Sequence, residues 1–93
     1  MATEVKIYVT NYCGYCHAAK ALLDQRGIAF QEIDCSNDPA TRKMLIEQTG
    51  QRTVPQIFIN GVPIGGFSEL SALDRAGKLR GVVAGDTAPP SVL

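Results

Sequence analysis

Cys13 and Cys16 stand where the chain changes period. Before them Val5, Ile7 and Val9 alternate with Lys6, Tyr8 and Thr10, the period-two pattern of a strand rich in branched side chains. After them Ala19, Leu22, Leu23 and Arg26 recur at helical spacing, and Gly27 follows as a stop. The junction therefore puts Cys13 at, or just before, the N-terminus of a helix that leaves a strand. The first N–H groups of a helix lack partners, and its dipole adds about half a positive charge there. A thiol of ordinary pKa about 8.5 falls to roughly 3.5–7.5 in such places, so Cys13 is expected to be largely thiolate at neutral pH. Cys16, one turn further in, is expected to be less exposed. This geometry assigns attack to Cys13 and resolution to Cys16.

Two other uses of the pair stay open at this point. A structural zinc site needs four ligands, for which Cys13, Cys16, His17 and Cys35 are the available donors, with no second Cys-x-x-Cys and no second histidine. A permanent crosslink across so short a loop adds little loop entropy. Three cysteines form an odd set, and MATEVKIYVT lacks the long apolar stretch of a signal peptide, so a disulfide-stapled secreted domain is not expected. The expected location is cytoplasmic. Nine basic and nine acidic residues cancel without forming a stripe of either sign, which argues against a nucleic-acid partner. No apolar run approaches the roughly 18 residues that cross a bilayer, so no membrane partner is expected.

The remaining elements follow from local signals. Ile28 to Asp34 alternates again and reads as a second strand. Asp38 suits an N-cap and Pro39 the first helical position, predicting a helix through Ala40–Gln48 that carries Ala40, Met44 and Leu45 inward and ends at Gly50. Gln56–Ile59 and Val62–Ile64 flank Asn60-Gly61, a strong hairpin signal. Gly65-Gly66 permits a sharp bend. Ser68 is expected to cap a third helix, with Leu70, Leu73 and Ala76 facing the core and Gly77 ending it. Lys78–Gly85 suggests a short helix or loop, and the Pro89-Pro90 tail is expected to be mobile. The order β-α-β-α-β-β-α predicts one α/β domain: a mixed four-stranded sheet flanked by three or four helices. Cys-x-x-Cys beside a β-α-β pattern favours redox chemistry over zinc or a fixed crosslink.

Together CGYC at 13–16, TVPQIFING at 53–61 and IGGFSEL at 64–70 carry a family likeness. In order and spacing, across about residues 3–82, the chain resembles a dithiol glutaredoxin of the short bacterial type. The resemblance implies a thioredoxin fold, a cis Val54–Pro55 peptide and glutathione as cosubstrate, so the domain is expected over residues 1–85 with the Pro89-Pro90 tail over 86–93 outside it. It implies a glutathione groove formed by Cys13, Tyr15, Arg52, Thr53, Val54, Pro55, Gly66, Phe67, Ser68 and Glu69. There the backbone of Val54 would pair with an extended peptide. Arg52 would hold the glycine carboxylate. The helix starting near Ser68 would face the γ-glutamyl carboxylate. Tyr15 would wall the cysteinyl moiety.

The implied activity is reduction of protein–glutathione mixed disulfides and protein disulfides. Glutathione reductase would act through glutathione, and the enzyme would be a monomer. Structural readings stand beside these. Tyr15 can be a packing residue, Arg52 a solvated charge, His17 an exposed first-turn residue and Cys35 a buried inert thiol. The chain departs from the family at Thr10, where lysine is usual, and at Gly14, where proline is commonest. Family members without that proline include some that bridge two subunits with a 2Fe-2S cluster, which makes Cys13 a candidate cluster ligand and a cluster-bridged dimer the alternative function. A thioredoxin-type reductant is a weaker alternative, because thioredoxins usually carry a tryptophan before the dithiol and this chain has none.

Overall fold

Branched side chains at alternate positions make Val5–Val9 a strand, β1, and it becomes the spine of the sheet. The structure, a computed structural model, describes residues 4–11 and 13–84; the expected tail at 86–93 lies outside them. The remaining elements are α1 (Gly14–Gln25), β2 (Gln31–Asp34), α2 (Pro39–Thr49), β3 (Gln56–Ile59), β4 (Val62–Gly65), α3 (Phe67–Arg75) and α4 (Leu79–Ala84). The sheet runs β2-β1-β3-β4, with β1 parallel to β2 and antiparallel to β3, and β3 antiparallel to β4. The expected mixed four-stranded sheet is present, flanked by four helices.

The two faces of the sheet bury different cores. Val5, Ile7 and Val9 of β1 join Ile57 and Ile59 of β3, Ala19 and Leu23 of α1, Leu70 and Leu73 of α3, and Leu79 and Val82 of α4. Tyr8 and Phe58 point the other way, meet edge-to-face at 5.4 Å, and pack with Cys35 and Leu45. Alternation along β1 and β3 thus divides the side chains, and Leu45 brings α2 to the second face.

Several boundaries differ from the sequence expectation. The second strand begins at Gln31 rather than Ile28. The Ile28 N–H is donated to the Leu23 carbonyl at 2.9 Å, closing α1, so this residue belongs to the helix end and buries its side chain there. Ser68 does not cap α3. Gly66 occupies the N-cap with no side-chain bond, and Ser68 is already the second helical residue. The cause is the bend at Gly65, whose φ of 112° turns the chain straight from β4 into the helix. Ala76 is exposed at the C-cap of α3, not in the core. Ala40 is likewise exposed, whereas Leu45 is buried and Met44 packs against the same core as expected, with Thr49 added to that inward face. The Asn60-Gly61 turn has φ of 52° and 82°, the positive pair that its sequence favours.

Candidate active site

Strand β1 delivers the chain to Cys13, which is the N-cap of α1. Its sulfur accepts a hydrogen bond from the Cys16 N–H at 3.1 Å, one of the donors that the first turn of a helix leaves unpaired. The two cysteine sulfurs are joined, with their Cα atoms 5.2 Å apart, within the span a disulfide requires. Cys16 is buried at 2% exposure, whereas Cys13 is only half-buried. Cys13 is thus the more exposed residue of the pair. This asymmetry fits an attacking and a resolving thiol.

A loop from the end of α2 faces the dithiol. It runs from Gln51 to Pro55, and its Val54–Pro55 peptide is cis. The Val54 carbonyl oxygen lies 3.7 Å from the Cys13 sulfur. The loop is held by two buried polar side chains. Thr49 Oγ1 donates to the Leu45 carbonyl at 2.7 Å and accepts from the Gln51 N–H at 3.1 Å. Gln56 Nε2 donates to the Thr53 carbonyl at 2.9 Å.

An open cleft of about 530 Å³ follows this loop. Tyr15, Arg52, Thr53, Val54, Pro55, Gly66, Phe67, Ser68 and Glu69 line it, so nine of the ten residues nominated for the groove share one surface. The tenth, Cys13, sits at the Val54 end. Tyr15 is 68% exposed and stacks on Phe67 with ring centroids 6.1 Å apart, so it stands over the cleft rather than in the core. Gly66 approaches the loop closely: a Cβ there would lie 3.1 Å from the Pro55 carbonyl oxygen. Its missing side chain lets the start of α3 close against the loop. Because nothing caps α3, its first N–H groups are not covered by a side chain. Arg52 is exposed, as a charge reaching for a ligand or for solvent would be.

Sequence reading missed Gln51, which also lines the cleft, and Gln56, which anchors the loop from beneath. Gln56 was visible within TVPQIFING but read only as a strand start. His17 is exposed. Cys35 is fully buried on the opposite face of the sheet, and its thiol donates to the Val9 carbonyl at 3.2 Å. Burial pushes the Cys35 pKa up, partly offset by the Arg42 charge. That placement separates Cys35 from Cys13, Cys16 and His17. Among the described residues no group of three or more His, Cys, Asp or Glu could hold a metal ion, which leaves the zinc alternative without a site.

The glutaredoxin family model matches residues 5–64. The chain is 48% identical over 76 residues to glutaredoxin 3 of Escherichia coli K12, an alignment covering 82% of this chain and 92% of that one. A solved buckwheat glutaredoxin–glutathione complex superposes with a TM-score of 0.83 at 35% identity, covering 95% of this chain and 83% of that one. The holo form of glutaredoxin C1 from Populus tremula x tremuloides also gives 0.83, at 26% identity, covering 99% and 86%. The family match spans the dithiol and the cis-proline loop together, on a thioredoxin fold. The chain therefore belongs to the glutaredoxin family of thiol–disulfide oxidoreductases.

Proposed function

We propose that this enzyme reduces protein–glutathione mixed disulfides and protein disulfides with glutathione as cosubstrate. The observation that carries the reading is the position of the Cys13 sulfur. It is the accessible member of the dithiol, at an uncrowded helix tip, 3.7 Å from the Val54 carbonyl that opens the cleft. A buckwheat relative of similar fold is described in complex with glutathione, which supports the same ligand here.

In the reaction on a glutathionylated protein, the Cys13 thiolate attacks the glutathione sulfur. A Cys13–glutathione disulfide forms, and the protein leaves as a thiolate that takes up a proton. A second glutathione, as thiolate, attacks the glutathione sulfur of that intermediate. Glutathione disulfide is released and the Cys13 thiolate returns. On a protein disulfide, Cys13 forms the mixed disulfide with one sulfur and the other substrate sulfur leaves. Cys16 then attacks the Cys13 sulfur, freeing the substrate dithiol and leaving the Cys13–Cys16 disulfide. Two glutathione molecules restore the dithiol, and glutathione reductase recycles glutathione disulfide with NADPH.

The groove residues divide the tripeptide among them. The Val54 backbone pairs with the cysteinyl peptide groups as a strand edge would. Arg52, exposed at the cleft, would hold the glycine carboxylate. The uncapped start of α3, at Phe67–Glu69, suits the γ-glutamyl carboxylate, with Ser68 and Glu69 oxygens available to its ammonium. Tyr15 on Phe67 walls one side.

The test is turnover of a glutathionylated substrate with NADPH, glutathione and glutathione reductase. Cys13→Ser is expected to abolish both reactions, and Cys16→Ser to spare deglutathionylation while stopping disulfide reduction. Activity retained without Cys13 would refute the assignment.

A second reading makes Cys13 a ligand of a 2Fe-2S cluster bridging two chains. It is favoured by the openness of the tip: Gly14 and Tyr15 are exposed, and nothing lies within 4 Å of where a Gly14 Cβ would be. Such a cluster takes four thiolates, and one chain offers a single accessible sulfur. The donor set fits only if two chains and two glutathione thiols combine. Anaerobic reconstitution with glutathione that yields a coloured dimer would support this reading, and a colourless monomer would remove it.

A further inference from the structure

Thr49 and Gln56 are the buried polar side chains among the described residues. Gln56 follows Pro55 directly and is 1% exposed. Its Nε2 lies near three acceptors: the Thr53 carbonyl at 2.9 Å, Gln51 Oε1 at 3.1 Å and Thr53 Oγ1 at 3.3 Å. Its Oε1 has no protein partner. Exchanging the two ends of the amide would set an oxygen against the Thr53 carbonyl oxygen, so the donor end must face the loop. An amide buried with its acceptor unpaired is a poor choice for stability alone, since an apolar side chain of similar volume leaves no orphan. The value of this side chain lies in what its donor end holds.

That group is the Thr53 carbonyl, which shares a planar trans peptide with the Val54 N–H. In a trans peptide the two point in opposite directions. Turning the carbonyl inward to Gln56 therefore turns the Val54 N–H outward, toward the side on which the cleft lies. Among the described residues that N–H donates to no protein group.

We propose that Gln56 is a positioning residue. It clamps the Thr53–Val54 peptide plane so that the Val54 N–H is presented to a backbone acceptor of the substrate beside Cys13. This rests on the glutathione reading above, which supplies the acceptor. Cys13 itself does not depend on the clamp, because its hydrogen bond comes from α1.

The test uses the intact enzyme with Gln56→Met, which keeps the volume and removes the donor, and Gln56→Glu, which makes the donor titratable. Gln56→Met is expected to raise KM for a glutathionylated substrate, whose glutathionyl group lies against Val54, about tenfold, the equivalent of about 1.4 kcal/mol of lost binding. The effect on kcat should be much smaller. The pH profile of Cys13 alkylation should stay as in the native protein. A general loosening of the structure would instead alter that profile as well. A buried carboxyl facing acceptors holds its proton more tightly than usual. For Gln56→Glu the KM ratio to the native enzyme should therefore fall toward one as pH drops and the carboxylic acid regains a donor. Using the ratio removes the titration of Cys13. An unchanged KM in Gln56→Met, a parallel change in Cys13 alkylation, or a raised and pH-independent ratio for Gln56→Glu each overturns the proposal while the native enzyme still turns over glutathione. A native enzyme that ignores glutathione overturns the underlying reading first and this inference with it.

Discussion

Two adjacent glycines at the foot of α3 do different things. Gly65 has φ of 112°, and a Cβ there would come within 2.8 Å of the Glu69 side chain. Gly66 has ordinary backbone angles, but its Cβ would press on the Pro55 carbonyl, a backbone atom flanked by a cis peptide and a strand. Gly65→Ala should therefore cost roughly 2 kcal/mol in denaturant-induced unfolding, through left-handed backbone strain. Gly66→Ala should cost about 1 kcal/mol yet raise KM for a glutathionylated substrate several-fold, because the start of α3 must back away from the loop. Equal effects of the two substitutions on stability and on KM would contradict this division. The three cysteines separate in the same residue-by-residue way. In the reduced native protein, iodoacetamide at neutral pH should modify Cys13 first. Cys35, buried and with its pKa pushed up, should react only after unfolding. Mass mapping of the alkylated peptides decides the order.

Helix α2 shows how an element on one face of the sheet serves a site at its end. Its N-terminus is fixed by Asp38, whose Oδ1 accepts from the Thr41 N–H at 3.1 Å and whose Oδ2 accepts from the Thr41 hydroxyl at 2.6 Å. Its C-terminus passes into the cleft loop through Thr49. Thr49→Val keeps the shape but leaves the Gln51 N–H without this acceptor, so a loss of about 1–2 kcal/mol is expected. Deglutathionylation should weaken more than Cys13 alkylation does, since the loop and not α1 is disturbed. The Asp38 cap carries a pH signature. Bonds from Thr41 hold its pKa below the usual carboxylate range. The stability it contributes is present above the unfolded-state value of about 3.9 and is lost as pH falls below that toward the folded pKa. Asn caps a helix as well as Asp does. Asp38→Asn should therefore match the native protein near neutrality and lose less stability on acidification, as pH-dependent thermal unfolding will show.

At the scale of the whole molecule, the sheet separates its two cores and the helices close over them. Leu23 has no exposed surface and packs with the residues of β1, β3 and α3. Leu23→Ala should cost about 2–5 kcal/mol, a large share of the roughly 5–15 kcal/mol that stabilises a domain. Where α1 ends, Arg26 grips Asp74 of α3 by two bonds, Nε to Oδ1 at 2.6 Å and Nη2 to Oδ2 at 2.9 Å. Those bonds lower the Asp74 pKa, as Ser36 lowers that of Asp34. All three depressed carboxylates act with the same sign, so unfolding studies should find stability falling as pH drops below about 4, where they take up protons.

The local alphabet of the chain was enough for the dithiol at a helix tip, the Asp38–Pro39 helix start, the Asn60-Gly61 hairpin and the succession of strands and helices along the chain. Each of these rests on neighbours within a few residues, where φ preference, capping and side-chain period act directly. The resemblance carried by three short motifs named the groove residues, and nine of them line one cleft. Ile28, Ser68, Ala76 and Ala40 depart from expectation because side-chain period does not reveal where a helix starts or closes: Ile28 bonds back to Leu23, the bend at Gly65 starts α3 before Ser68, and both alanines lie exposed near helix ends. Gln56 was read only as the start of a strand, because its clamp becomes visible only once Thr53 folds back over it. The amino-acid sequence by itself determined where a reactive sulfur can arise and which elements surround it. Only the tertiary structure decided that a loop from the end of α2 reaches within 3.7 Å of that sulfur, since contact between segments about forty residues apart depends on how two faces of one sheet are packed.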